Sequence, residues 1–142
     1  MLENELRERA AIEDVINRFA NLEIDVPAQA ELFTPDVVIE IHTGDQEMKI
    51  TGREQMKAAF SAGMAGVLAS HHQNGQQVIE FEDTTHATDT HYCQATLLRE
   101  TEGQRVLAKS YVRYVDSLVK QDGSWLIAQR DQTIVFTEEV AQ

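Results

Sequence analysis

The chain has 142 residues, enough to bury one core, and its 42% apolar and 25% charged residues exclude a disordered chain. Acidic residues outnumber Lys and Arg 24 to 12, a formal charge of −12 with the bases scattered, which excludes nucleic acid and anionic membrane as partners. The lone Cys93 cannot form an internal disulfide, no run reaches membrane-span length, and the N-terminus lacks a signal-peptide pattern, so a cytoplasmic protein is expected.

The first helix is the clearest element: Leu2, Leu6, Ala10, Ile12, Val15, Ile16, Phe19 and Leu22 recur at three- and four-residue spacing. A break follows at Glu23-Ile24-Asp25-Val26-Pro27. Pro27 suits a first helical turn and Asp25 a helix start, which predicts a short helix over Ala28 to Phe33. Val37 to Ile41 is a β-rich strand, His42 to Glu47 a turn, and Met48 to Ile50 a return strand. Thr51 and Glu54 have the spacing of a capping box for a helix over Arg53 to Ala62, closed by Gly63 to Gly66.

Four long strands are predicted after it: Ser70 to Glu82, Ala87 to Arg99, Arg105 to Lys120 and Ser124 to Phe136. Compact polar turns join them, and Asp122-Gly123 is a strong hairpin signal. Long consecutive antiparallel strands coil, so the fold class is α+β, with the helices on the concave side. Counting outward from Asp122-Gly123 sets Val115 opposite Arg130 and Arg113 opposite Gln132. One face then holds Tyr111, Arg113, Val115, Arg130 and Gln132; the other holds Val112, Tyr114, Asp116, Ile127 and Asp131. Both faces carry apolar residues, so the sheet is expected to be covered on one side by its helices and on the other by a second copy, as a homodimer.

His71 and His72 are adjacent on a strand and point to opposite faces, so they cannot share a metal without a bulge. His91 and Cys93 share a face, but without a fixed ligand spacing no metal is expected. Asn74 and Gln76 would extend His72 into a polar strip that could bond a ligand's oxygen, although Gly75 warns of a bulge that would reassign the later side chains. Cross-strand amide pairing explains the strip equally well. Arg113 and Arg130, diagonal in the counted register, need an anion between them, either an internal carboxylate or an acidic ligand. No glycine-rich phosphate loop, nucleophile elbow or paired-cysteine motif is present, and no cofactor is expected.

The element order and the phrases FTPDVVIEI, GREQMKAAF, SHHQNGQQVIEF and RYVDSLVKQDGSWLIAQR resemble the SnoaL-like branch of the nuclear-transport-factor-like superfamily, which also holds scytalone dehydratase and ketosteroid isomerase. The resemblance implies one SnoaL-like domain over 1–142: a cone-shaped half-barrel whose strongly curved, mixed or antiparallel sheet is closed on its concave side by three helices from the N-terminal half. It also implies a pocket for a small apolar, polyketide- or steroid-like molecule.

Dehydratase-like members pair an Asp near the end of the first helix with a strand His, and His72 with Asp25 match these best. The acid most often implicated stands three positions earlier, where this chain has Leu22; a frequent first-helix Tyr is Phe19, and the second histidine of scytalone dehydratase falls near Leu97. Two readings of Asp25 and His72 are open. A carboxylate beside an imidazole in an apolar pocket is an acid–base pair for a dehydration, isomerisation or cyclisation. Alternatively, Asp25 caps a helix and the protein is a non-catalytic binding or assembly module. The expected pocket comprises Phe19, Leu22, Phe33, Met56, Phe60, Asn74, Gln76, His91, Tyr111, Arg113 and Arg130.

Overall fold

The computed structural model describes residues 2–142. Three helices, α1 (Leu2–Asn21), α2 (Val26–Ala30) and α3 (Arg53–Gly63), lie in the first half of the chain. Six strands form one sheet: β1 (Phe33–Thr43), β2 (Gln46–Thr51), β3 (Val67–Phe81), β4 (His86–Thr101), β5 (Gln104–Gln121) and β6 (Ser124–Ala141). The order across the sheet is β2-β1-β6-β5-β4-β3, with every neighbour antiparallel except β1 against β6. The expected α+β cone with a curved, unclosed mixed sheet is what the chain forms. Strands of 15 to 18 residues in β3 to β6 make such curvature unavoidable, because twist accumulates along them.

The core lies between α1 and the concave face. Ile12, Val15, Ile16 and Phe19 of α1 pack with Phe33, Val37, Ile39, Ile79, Leu118, Trp125 and Ile127. The helix is also pinned by polar contacts: Glu8 accepts from Lys120 Nζ at 2.7 Å and from Trp125 Nε1 at 2.5 Å. Among the described residues no helix is long and apolar enough to cross a membrane.

Several local expectations need correction. The second helix starts at Val26 rather than Ala28, and Phe33 opens β1 instead of ending that helix. The α3 N-cap is Gly52, not Thr51: Glu54 pairs with Lys57, and the backbone N–H of Thr51 donates to Gln55. Gly52 takes φ +88, a conformation that favours glycine and leaves no side chain to cap with.

Two β-bulges decide which side chains enter the cone. Near Gly75 the register slips, with Asn74 opposite Cys93 but Gln77 opposite His91. Beyond it Gln77, not Gln76, shares the concave face with His72. A second slip at Ala128 sets Ile127 opposite Leu118 but Gln129 opposite Ser117. Val115 is therefore opposite Asp131, and Arg130 is opposite Asp116 on the concave face, while Arg113 stays outside opposite Thr133. The counted register fails at that one extra residue, and the Arg113–Arg130 neighbourhood with it.

Arg130 is fully buried and forms a bidentate pair with the equally buried Asp116, both bonds 2.8 Å. Its guanidinium also stacks over Phe19 at 4.2 Å, Tyr114 at 4.3 Å and Phe33 at 5.2 Å. Asp116→Ala, which strands the guanidinium, is expected to cost about 3–5 kcal/mol in urea unfolding, whereas Asp116→Leu combined with Arg130→Met costs far less. Equal losses in the two variants would contradict the pairing as the source of the effect.

Candidate active site

The short connection from α1 to α2 builds the site. Glu23 adopts φ +55, an αL position that ends α1, and its N–H bonds the Ala20 carbonyl at 3.2 Å. The buried Gln29 side chain spends both amide protons on this turn, donating to the carbonyls of Phe19 at 3.2 Å and Glu23 at 2.9 Å. The turn so held aims the Glu23 carboxylate at β3. There Ser70 and His72, two residues apart, present the same face.

Glu23 receives three hydrogen-bonding groups. Ser70 Oγ donates to Oε2 at 2.6 Å, the His72 backbone N–H donates to Oε1 at 3.0 Å, and His72 Nδ1 lies 2.6 Å from Oε2. Because β3 is an edge strand, the outward N–H of His72 is free for this bond. Burial pushes the Glu23 carboxyl up, but the hydrogen bonds from Ser70 and from the His72 ring and backbone outweigh it and hold it below the usual glutamate range. An ionised carboxylate only accepts, so the network puts a proton on His72 Nδ1 and leaves Nε2 as the ring's free basic nitrogen. The side chains of His72 and Glu23 are 13% and 29% exposed, partly desolvated yet reachable.

The carboxylate on His72 is thus Glu23, and the expected Asp25–His72 pair is corrected. Asp25 instead caps α2, its Oδ1 accepting from Ala28 N at 3.3 Å, so its carboxylate serves the helix start. Both acids lie in the same break, and the αL turn decides which one reaches the strand.

A cavity of about 280 Å³ adjoins the dyad. Glu23, Gln29, His72, Tyr114 and Gln132 supply its polar wall; Phe19, Val26, Ile41, Met48, Ile50, Phe60 and Met64 make most of the rest. Phe19 and Phe60 line it as expected. Phe33 and Met56 are fully buried core, and Leu22 packs against that core. Asn74 ties β3 to α1, reaching the Ile16 carbonyl at 3.5 Å and Asn17 at 3.4 Å. Gln76 and Tyr111 line instead a groove of about 390 Å³ on the outer face, with Tyr92 and Val135. Tyr111 donates there to Glu138 at 2.6 Å, and Arg113 is exposed on the same face. These three leave the expected pocket for one reason: the bulges and strand alternation turn them outward.

Beneath the cavity lies a buried polar layer that sequence reasoning largely missed. Asp89 and Asp116 are cross-strand partners, both fully buried. Asp116 holds Arg130. Asp89 takes His91 Nδ1 at 2.8 Å and Gln77 Nε2 at 2.5 Å. His91 stacks on Tyr114 with ring centroids 4.8 Å apart. On the opposite face, Glu40, His42 and Asp131 bring donor atoms within 4.8 Å of one another, the one grouping among the described residues close enough for a metal ion. His42 there already faces carboxylates with both ring nitrogens, Asp131 at 3.1 Å and Glu47 at 3.4 Å.

Comparison with known proteins extends this geometry. Residues 4–131 match the family described as the SnoaL-like domain. No curated protein shows a significant match. Among solved structures, a provisionally named scytalone dehydratase from Novosphingobium aromaticivorans is similar at 23% identity, covering 97% of this chain and 91% of that one, with a TM-score of 0.81. Hexachlorocyclohexane dehydrochlorinase LinA-type3 from Novosphingobium barchaimii is similar at 14% identity, covering 99% and 94%, with a TM-score of 0.79. Rv3472 of Mycobacterium tuberculosis, a protein of unknown function, is 26% identical over 92% of this chain and 73% of that one, with a TM-score of 0.73.

Two variants separate the acids. Glu23, with its folded carboxyl lowered, contributes stability above the ordinary glutamate pKa and loses it as pH falls through the lowered folded value. Glu23→Gln is therefore expected to shrink the fall in Tm on acidification across that window. It should also move the His72 ring resonances in NMR spectra. Asp25→Ala is expected to cost about 1 kcal/mol through the lost cap and to leave those resonances in place.

Proposed function

The chain belongs to the SnoaL-like domain family, and from that premise we propose that it is a cofactor-independent lyase acting on a small, mainly apolar molecule by acid–base chemistry at Glu23 and His72. The observation that carries the reading is the 2.6 Å contact between Glu23 Oε2 and His72 Nδ1 at the wall of an apolar cavity. His72 Nε2 takes a proton from a substrate carbon, and Glu23 stabilises the imidazolium that forms. The electron pair of the broken C–H bond becomes a double bond as the adjacent carbon loses its leaving group. The imidazolium then returns the proton to that group, so no redox partner is needed. The names of two structural neighbours, a dehydratase and a dehydrochlorinase, denote eliminations of this kind, which supports the class of reaction. The cavity volume favours a ligand of one or two rings over a four-ring steroid, since a cavity of about 150 Å³ already holds benzene.

A panel of one-ring β-hydroxy ketones and chlorinated cyclohexanes tests the reading, with uptake of solvent deuterium and absorbance of the new double bond as readouts. Turnover is expected for at least one of them, reduced about 10²- to 10⁴-fold in His72→Ala. Turnover in His72→Ala equal to that of the parent chain would refute the assignment.

A second reading, an assembly role for the outer face, is favoured by one observation. Val78, Val135, Phe136 and Val140 are each more than half exposed there, beside Tyr92. We propose that this face packs sheet to sheet in a homodimer. Size-exclusion chromatography with light scattering is expected to give twice the 16.0 kDa chain mass at micromolar concentration. Phe136→Lys should shift the mass towards the monomer, and a monomeric parent chain would end the proposal.

A further inference from the structure

The dyad leaves two polar groups of the cavity wall without a task. Tyr114 and Gln132 are direct cross-strand neighbours on β5 and β6, and both line the cavity that His72 lines. Among the described residues neither side chain has a hydrogen-bond partner within the protein. Tyr114 is only 5% exposed, yet its hydroxyl is not among the sealed, unpartnered atoms, so the little surface it keeps opens on the cavity.

Its ring cannot turn away. It is held between the His91 imidazole at 4.8 Å and the Arg130 guanidinium at 4.3 Å, with Phe19 edge-on at 6.5 Å. Asp89 fixes His91 from behind, and Asp116 fixes Arg130. Burial pushes the Tyr114 hydroxyl above its usual pKa against the pull of the Arg130 charge, so it stays protonated and donates. Beside it Gln132 offers amide N–H donors. No Lys or Arg lines the cavity, so no side-chain cation is there to pair with a carboxylate or phosphate ligand.

We propose that Tyr114 and Gln132 form a two-donor site for a carbonyl oxygen, and that the substrate class is a small, neutral, one-ring ketone or aldehyde whose α C–H faces His72. This rests on the reading of His72 as the base. The C–H pair forms the enolate double bond, and the carbonyl pair moves onto the oxygen held by Tyr114 and Gln132. That pair then returns to expel the β-substituent, which leaves with the proton from the imidazolium, giving an enone and one molecule of HX. Donors already in place where negative charge develops favour the transition state over the ground state.

An enolate mimic tests the site without a known substrate. 4-Nitrophenol, titrated at a pH where it is ionised and followed by its visible absorbance, presents a phenolate oxygen on one ring; 4-nitrotoluene has the same shape without it. The parent chain is expected to bind the phenolate, Tyr114→Phe about 10- to 100-fold more weakly and Gln132→Leu about tenfold more weakly, by the loss of charge-assisted hydrogen bonds. Both variants should bind 4-nitrotoluene as the parent does, which shows an intact cavity. No binding of the phenolate by the parent chain overturns the inference. So does an equal loss of both compounds in Tyr114→Phe, or phenolate binding that the variant leaves unchanged. The two readings fail separately. Phenolate held through Tyr114 without any α-deuterium exchange removes the base and leaves the donor pair. Exchange that depends on His72, with phenolate binding indifferent to Tyr114, does the reverse.

Discussion

Two fully buried carboxylates stand side by side on β4 and β5, and the rest of the molecule is arranged around satisfying them. An isolated charge in such a place costs several kcal/mol, so each must have its own partner. Asp116 takes the Arg130 guanidinium. Asp89 takes an imidazole and an amide. The partners then act as platforms: Arg130 receives Phe19 from α1, and His91 with Arg130 brackets Tyr114. The position of the first helix, the wall of the cavity and the rigidity of its floor thus follow from one electrostatic requirement. Tight packing alone would fill the cone. The charged layer instead fixes which aromatic ring stands where, leaving space above it.

The strands, their turns and the concave placement of the helices were legible because they depend on local patterns: alternation, Asp122-Gly123, and apolar spacing on α1. His72 was legible for the same reason, lying before the bulge that Gly75 announces. Arg130 was not, because the slip at Ala128 has neither glycine nor proline to mark it, and one extra residue carries every later side chain to the other face. Glu23 was hidden differently. It lies two residues from Asp25 in the same break, and only the αL conformation held by Gln29 separates the acid that reaches β3 from the acid that caps α2. An αL position more often belongs to glycine or asparagine, so a glutamate there gives no compositional signal. Nothing in the local pattern marks Asp89 and Asp116 as a buried pair, since pairing across a sheet needs a register the pattern alone could not supply.

The neighbours of known structure share the fold at identities as low as 14%, so little of the cone's shape depends on particular side chains. What individual residues settle is the chemistry of the opening. In this chain an interhelical turn supplies the acid, an edge strand the imidazole, and two inner strands the uncommitted donors. Each piece comes from a different element, which leaves the site open to variation without disturbing the sheet.

The backbone bond from His72 to Glu23 has a further consequence. The outer edge of β3 carries unpaired N–H and C=O groups, the kind of border on which a foreign strand can template. A carboxylate docked on that border occupies one rung of the ladder and sets an ionised group where a neighbouring chain would have to approach. The Glu23–His72 contact therefore doubles as a guard against edge-to-edge association, so a change that removes the Glu23 carboxylate also exposes the sheet. Colloidal behaviour and the orientation of the His72 ring are tied to the same glutamate.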